Sequence, residues 1–175
     1  GALEAIVDVL GIHTENIDVQ VCGCGMIDEI CRENTCKSRA GDAGAVEAIV
    51  EALKAHHSNH FIAREASSAL LTLCTDNDKE PGDDSSFDLL HRGRAGAAVE
   101  VIVRAIDQDS FDPRSTQSFF DLLSCLCEDV SSNAHRAVEA GAMKSCVAAF
   151  EREFDDDGYV TVHDLRESAC SAMLS

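Results

Sequence analysis

The 175-residue chain contains no tryptophan, one tyrosine and two prolines, and aromatic residues make up only 5% of it. Small aliphatic side chains therefore have to supply its core, which suits closely stacked helices. Basic residues are scarce: 14 stand against 32 acidic ones, a formal charge of −18. Phosphates would be repelled, so neither nucleic acid nor an anionic membrane surface is an expected partner. No apolar run approaches the roughly 20 residues that span a bilayer, and no basic-then-apolar stretch opens the sequence. Glycine-rich phosphate loops, strand-turn-helix nucleophile elbows and CxxC pairs are also missing. An enzyme, a cofactor and a small-molecule substrate are accordingly not expected.

What is present is repetition. Ala43 to Leu53 reads AGAVEAIVEAL, Gly1 to Leu10 reads GALEAIVDVL, Ala95 to Ile106 reads AGAAVEVIVRAI, and Ala140 to Phe150 reads AGAMKSCVAAF. With Leu3, Val46, Val99 and Met143 in register, the intervals are 43, 53 and 44 residues. A helical motif recurring every 40 to 47 residues or so is the mark of a stacked helical solenoid.

In chain order, Leu3, Ile6, Val7 and Leu10 make one apolar helix face. Asp18 can cap a second helix, Val19 to Arg32, in which Gly23 and Gly25 predict close approach of a neighbour. Glu33 to Asp42 reads as a short connector. Helices follow at Gly44 to Ala55 and Ile62 to Cys74. Thr75 to Ser86 is rich in Asp, Ser, Gly and Pro, a loop by composition that accounts for the long interval. Phe87 to Arg92 reads as a short helix, Ala97 to Ile106 as a glycine-led one, and Asp112-Pro113 opens a long helix through Cys127. His135 to Glu139, the helix after Gly141, and Asp164 to Leu174 complete the series. The expected domain is thus a single one over 1–175, with units at about 1–33, 34–77, 85–130 and 132–175. The first unit lacks a short helix and nothing follows Ser175, so the chain is expected to be a piece of a longer solenoid or to pack its ends on something else.

These junctions resemble the armadillo-repeat family. Ala43-Gly44-Ala45-Val46 and Ala140-Gly141-Ala142-Met143 match its helix junction, and Ala95-Gly96-Ala97-Ala98-Val99 matches with one extra alanine. Gly23, Ala66, Phe119 and Ala169 fall at the small-residue position of its third helix, Phe119 being a departure. Ile27, Leu70, Leu123 and Met173 fall at the first leucine position, and Ile30, Leu73 and Leu126 at the second. The resemblance implies an all-α fold, a right-handed solenoid of three-helix repeats whose third helices line a concave groove that binds extended segments of other proteins. In the family's nuclear-import receptors a Trp and an Asn hold the peptide. The matching positions here are Gly25, Ser68, Asp121 and Ser171 for the Trp, and Glu29, Thr72, Cys125 and Ser175 for the Asn. None matches, so nuclear-signal binding is not expected and the generic scaffold role remains. Candidate groove residues are Gly25, Asp28, Glu29, Arg64, Ser68, Thr72, Asp121 and Cys125. Their acidic bias points to a protein or peptide partner bearing Lys or Arg.

Two other patterns bear on chemistry. Glu153 to Asp164 can be numbered as a twelve-residue calcium loop with Glu153, Asp155, Asp157, the Tyr159 carbonyl and Asp164 as ligands and Gly158 at the turn. Position 1 is usually Asp and position 12 usually Glu, so an acidic connector is the preferred reading and a calcium-responsive protein the alternative. A structural subunit contacting through its ends is a third reading. His13, His56, His57 and His60 lack a metal-site spacing and read as turn residues. Most of the nine cysteines lie within apolar helical runs, which points to a reducing, cytoplasmic setting, with the nucleus also open.

Overall fold

The computed structural model describes residues 1–75, 86–107 and 113–151. Among the described residues every regular element is a helix and no strand occurs: α1 (Ala2–Ile12), α2 (Ile17–Ile30), α3 (Asn34–Asp42), α4 (Ala45–Ala55), α5 (His60–Cys74), α6 (Ser86–Ala95), a 3₁₀ turn (Gly96–Ala98), α7 (Val99–Ile106), α8 (Pro113–Cys127), α9 (Ser131–Ala140) and α10 (Ala142–Glu151). The expected all-α class is what the structure has. No described helix is long and apolar enough to cross a membrane.

The segment 33–42, read from sequence as a connector, is mostly the helix α3. Its sequence NTCKSRAGD is polar, yet Lys37 and Ala40 are fully buried, so no apolar stripe announces it. The cap of α2 is Asn16, not Asp18: Asn16 Oδ1 accepts from Val19 N at 3.1 Å. Asn59 caps α5 in the same way, 43 residues on, accepting from the amides of Phe61 and Ile62.

The glycine junctions work as left-handed hinges. Gly44 and Gly141, at φ 84° and 90°, turn the chain from α3 into α4 and from α9 into α10, a conformation that costs a side-chain-bearing residue energy. At the third junction the extra alanine removes the need for that turn, and Gly96–Ala98 wind as the 3₁₀ turn instead. Gly96 has a different duty. A Cβ there would lie 2.2 Å from Asn133 Oδ1, so only glycine admits the neighbouring helix. Gly23 answers to the same logic, because a Cβ would sit 2.4 Å from Leu10 Cδ2 where α1 crosses α2.

The long helices carry the packing. α5 lies against α2 on one side and α8 on the other, the two most extensive helix contacts, while α1 meets α4 and α7 meets α10. Fully buried Ile27, Ile49, Leu70, Leu73, Phe119, Phe120 and Leu126 form one cluster with residues of the glycine-led helices.

Polar straps from the short helices repeat along this series. His91 of α6 lies with its Nδ1 2.9 Å from the carbonyl of Leu73, and Asn133 of α9, 42 residues later, donates to the carbonyl of Leu126 at 2.8 Å. Arg94 donates to the Gly41 carbonyl at 2.9 Å and pairs with Glu47 at 3.7 Å. Arg136, also 42 residues later, donates to the Gly96 carbonyl at 3.1 Å and pairs with Glu100 at 3.6 Å. Arg39 pairs with Glu4 at 3.7 Å. Glu4, Glu47 and Glu100 occupy one place in the repeat register; the fourth such place holds Lys144.

Candidate functional site: one face of α2, α5 and α8

Three of the predicted groove residues form a lock between helices. Asp28 of α2 is only 8% exposed, and its two oxygens accept from Ser68 Oγ at 2.9 Å and Thr72 Oγ1 at 2.5 Å on α5. A buried carboxylate is tolerable only when so satisfied, and hydroxyls four residues apart on a helix present both donors to it. Asp28, Ser68 and Thr72 therefore join α2 to α5.

The other predicted residues surround the lock. Glu29 is exposed and pairs with Arg32 at 3.2 Å. Arg64 turns back on its neighbour, its Nε and Nη2 both donating to Glu65 Oε1 at 3.1 and 2.8 Å. Glu65 in turn lies over Gly25, where an added Cβ would be 3.2 Å from its Oε2. Sequence reasoning missed Glu65, although it stands at i, i+3 and i+7 with Ser68 and Thr72 and so shares their face. On α8, Asp121 is half-buried, and Cys125 is 8% exposed with its thiol 3.5 Å from the carbonyl of Cys74. The face thus sets carboxylates of Glu29, Glu65 and Asp121 on three successive long helices.

The end of α5 is capped by cations from elsewhere, which sequence reasoning also missed. Lys37 Nζ donates to the Thr75 carbonyl at 2.6 Å, and Arg92 Nε to that of Cys74 at 3.1 Å. Arg92, 7% exposed, also donates through Nη1 to the Glu128 carbonyl at 3.2 Å and pairs with the Glu128 carboxylate at 3.0 Å. Positive charge at a helix C-terminus complements the macrodipole's negative end and satisfies carbonyls that no glycine cap serves.

Three of the core thiols are held in the protonated, unreactive form. Burial pushes Cys24 up to about 12, with the Glu65 charge adding to it, and pushes Cys31 up to about 11. Cys127 is raised for the same reason. The eight described cysteines form no disulfide with one another. His56 Nε2 lies 2.6 Å from the Thr14 carbonyl, and the His60 ring sits tilted against that of Phe61 with centroids 4.0 Å apart. No group of three metal-ligating side chains converges among the described residues. The calcium candidates Glu153, Asp155, Asp157, Tyr159 and Asp164 lie outside the described residues, as do Ala169, Ser171, Met173 and Ser175. No protein-family model matches the chain, and no curated protein or solved structure matches it either.

Proposed function

We propose that the chain is a non-enzymatic interaction scaffold, an armadillo-like solenoid that binds an extended, Lys- or Arg-bearing segment of another protein along the face of α2, α5 and α8. The observation that carries this is that α2, α5 and α8 pack in series and each bears an acid among or beside the predicted groove residues, Glu29, Glu65 and Asp121. An extended backbone crossing those helices would meet an acid at each, and the field of a chain with charge −18 would steer a basic segment toward it. Packing of α5 between α2 and α8, with straps recurring 42 residues apart, supports the solenoid part of the reading. A reducing, cytoplasmic setting belongs to the proposal, supported by thiols in core positions. The test is a peptide array of extended sequences, read by fluorescence polarisation at two salt concentrations. Lys/Arg peptides should bind, weaken with salt, and weaken further on Glu29→Arg with Glu65→Arg; binding indifferent to both would overturn it.

The exposed apolar side chains favour one second reading. Val9, Ile12, Ile17 and Met26 lie on α1 and α2, and Val138, Met143 and Val147 on α9 and α10, with Phe61 between them. Exposed apolar patches mark contact surfaces, so the chain would then be a structural part held through these two regions. A partner bound that way is lost on Ile12→Lys or Met143→Lys and retained in the Glu29/Glu65 double variant.

A further inference from the structure

Three glycine-led helices are each met by a short helix that comes later in the chain: α1 by α3, α4 by α6 and α7 by α9. An arginine of the short helix marks each contact by pairing with a glutamate, as Arg39–Glu4, Arg94–Glu47 and Arg136–Glu100. The residue before each glutamate is buried, with Leu3, Val46 and Val99 exposed by 3%, 0% and 0%. Three residues after it the pattern recurs: Val50 and Val103 are buried and Val7 is half-buried.

α10 keeps this register but not the cover. Met143, in step with Leu3, Val46 and Val99, is 49% exposed, and Val147, in step with Val7, Val50 and Val103, is 51% exposed. A side chain at Gly96 would collide with Asn133 of α9, whereas one at Gly141, the matching junction, would meet nothing within 4 Å. Lys144 stands in the glutamate's place, is exposed, and has no carboxylate partner among the described residues. α10 thus presents one half of a contact that the chain makes three times elsewhere, with the charge reversed.

We propose that the face of α10 around Met143, Lys144 and Val147 binds an amphipathic helix of another protein, one that carries Asp or Glu where α3, α6 and α9 carry Arg39, Arg94 and Arg136. Its apolar side would cover Met143 and Val147, and its carboxylate would pair with the Lys144 ammonium. A helix with arginine at that place meets a like charge and is rejected. A second copy of this chain fits poorly, because these three short helices all bring arginine and two chains of charge −18 repel each other. The proposal rests on the reading of α9 and α10 as a contact region and adds the chemistry of what binds there; the α2–α5–α8 face plays no part in it.

The experiment titrates the full chain, labelled with ¹⁵N, with a peptide of α9 itself, Ser131–Ala140. Ten residues alone would not stay helical, so the peptide is bridged through positions 135 and 139, which are exposed and one turn apart in the protein. Its parent sequence is compared with Arg136→Glu. The Arg136→Glu peptide should shift the Met143, Lys144 and Val147 amides saturably and bind about fivefold tighter than the parent peptide at low salt. In a Lys144→Glu chain the preference should reverse, and Val147→Asp, at an exposed position, should abolish binding of both peptides. No saturable shifts with the Arg136→Glu peptide, or self-association of the chain in sedimentation that Val147→Asp removes, overturns the proposal. Binding that Val147→Asp removes but whose preference Lys144→Glu leaves unchanged overturns it as well, while the contact-region reading stands.

Discussion

Ser67 is 1% exposed, and its hydroxyl finds no hydrogen-bond partner among the described residues. A buried unsatisfied hydroxyl costs about 1–3 kcal/mol, while the methyl of alanine at the same place costs nothing in volume. Ser67→Ala is therefore expected to raise the unfolding free energy by up to about 1 kcal/mol in urea melts. A drop would mean that the hydroxyl is used in the native state. The buried thiols predict a pH dependence of definite sign. Cys24 is held at about 12 when folded against 9.0 in a free thiol. Below 9.0 neither state ionises and nothing is lost; above it the unfolded chain ionises first, so stability falls as pH rises from 9.0 toward 12. Melting temperature measured across that range should fall less steeply in Cys24→Ala than in the parent chain.

At the level of whole helices, periodicity made most of the fold legible. Leu3, Ile6, Val7 and Leu10, and Ile62 through Leu73, repeat at 3.6 residues because one side of each helix is buried. α3 escaped because its fully buried residues are Lys37 and Ala40, whose burial depends on what α5 brings to them. The arginine straps were illegible for a related reason: Arg39, Arg94 and Arg136 join groups 35 to 53 positions apart, and no local pattern marks the partner of an arginine. Of the candidate site, the face was legible from the repeat register. That Asp28 is already engaged by Ser68 and Thr72 was not, since hydroxyls in a helix give no sign of which carboxylate they meet. The clearest energetic test at this level is Arg92, which ties the ends of α5 and α8 to α6. Arg92→Ala leaves the Cys74 and Glu128 carbonyls without its donors and should cost about 3 kcal/mol. Arg92→Lys should recover less than half, because one ammonium cannot reproduce a planar fork aimed at two helix ends. Full rescue by lysine, in thermal or chemical melts, would show that only the charge matters.

For the molecule as a whole, the arginine pairs run in one direction along the chain, which on the proposed solenoid reading orders its units. An arginine on one short helix reaches back to a glutamate on the preceding glycine-led helix: Arg39 to Glu4, Arg94 to Glu47, Arg136 to Glu100. Lys144 occupies the next such place, and an arginine set there as Arg94 and Arg136 are set would face a like charge. This amounts to a grammar for editing the chain. Excising residues 91–132 splices the first five residues of α6 to the last eight of α9 and brings Arg136 to Gly41 and Glu47, a legal join, so the shortened protein should still melt cooperatively by circular dichroism. The same excision carrying Glu47→Lys recreates the Lys144 situation at the join and should melt lower, by about 1 kcal/mol at low salt. If the two shortened chains melt alike, or if Glu47→Lys leaves the melting of the full-length chain untouched, the units are interchangeable beads. If they differ, the order in which they can be strung is written in one alternation of charge.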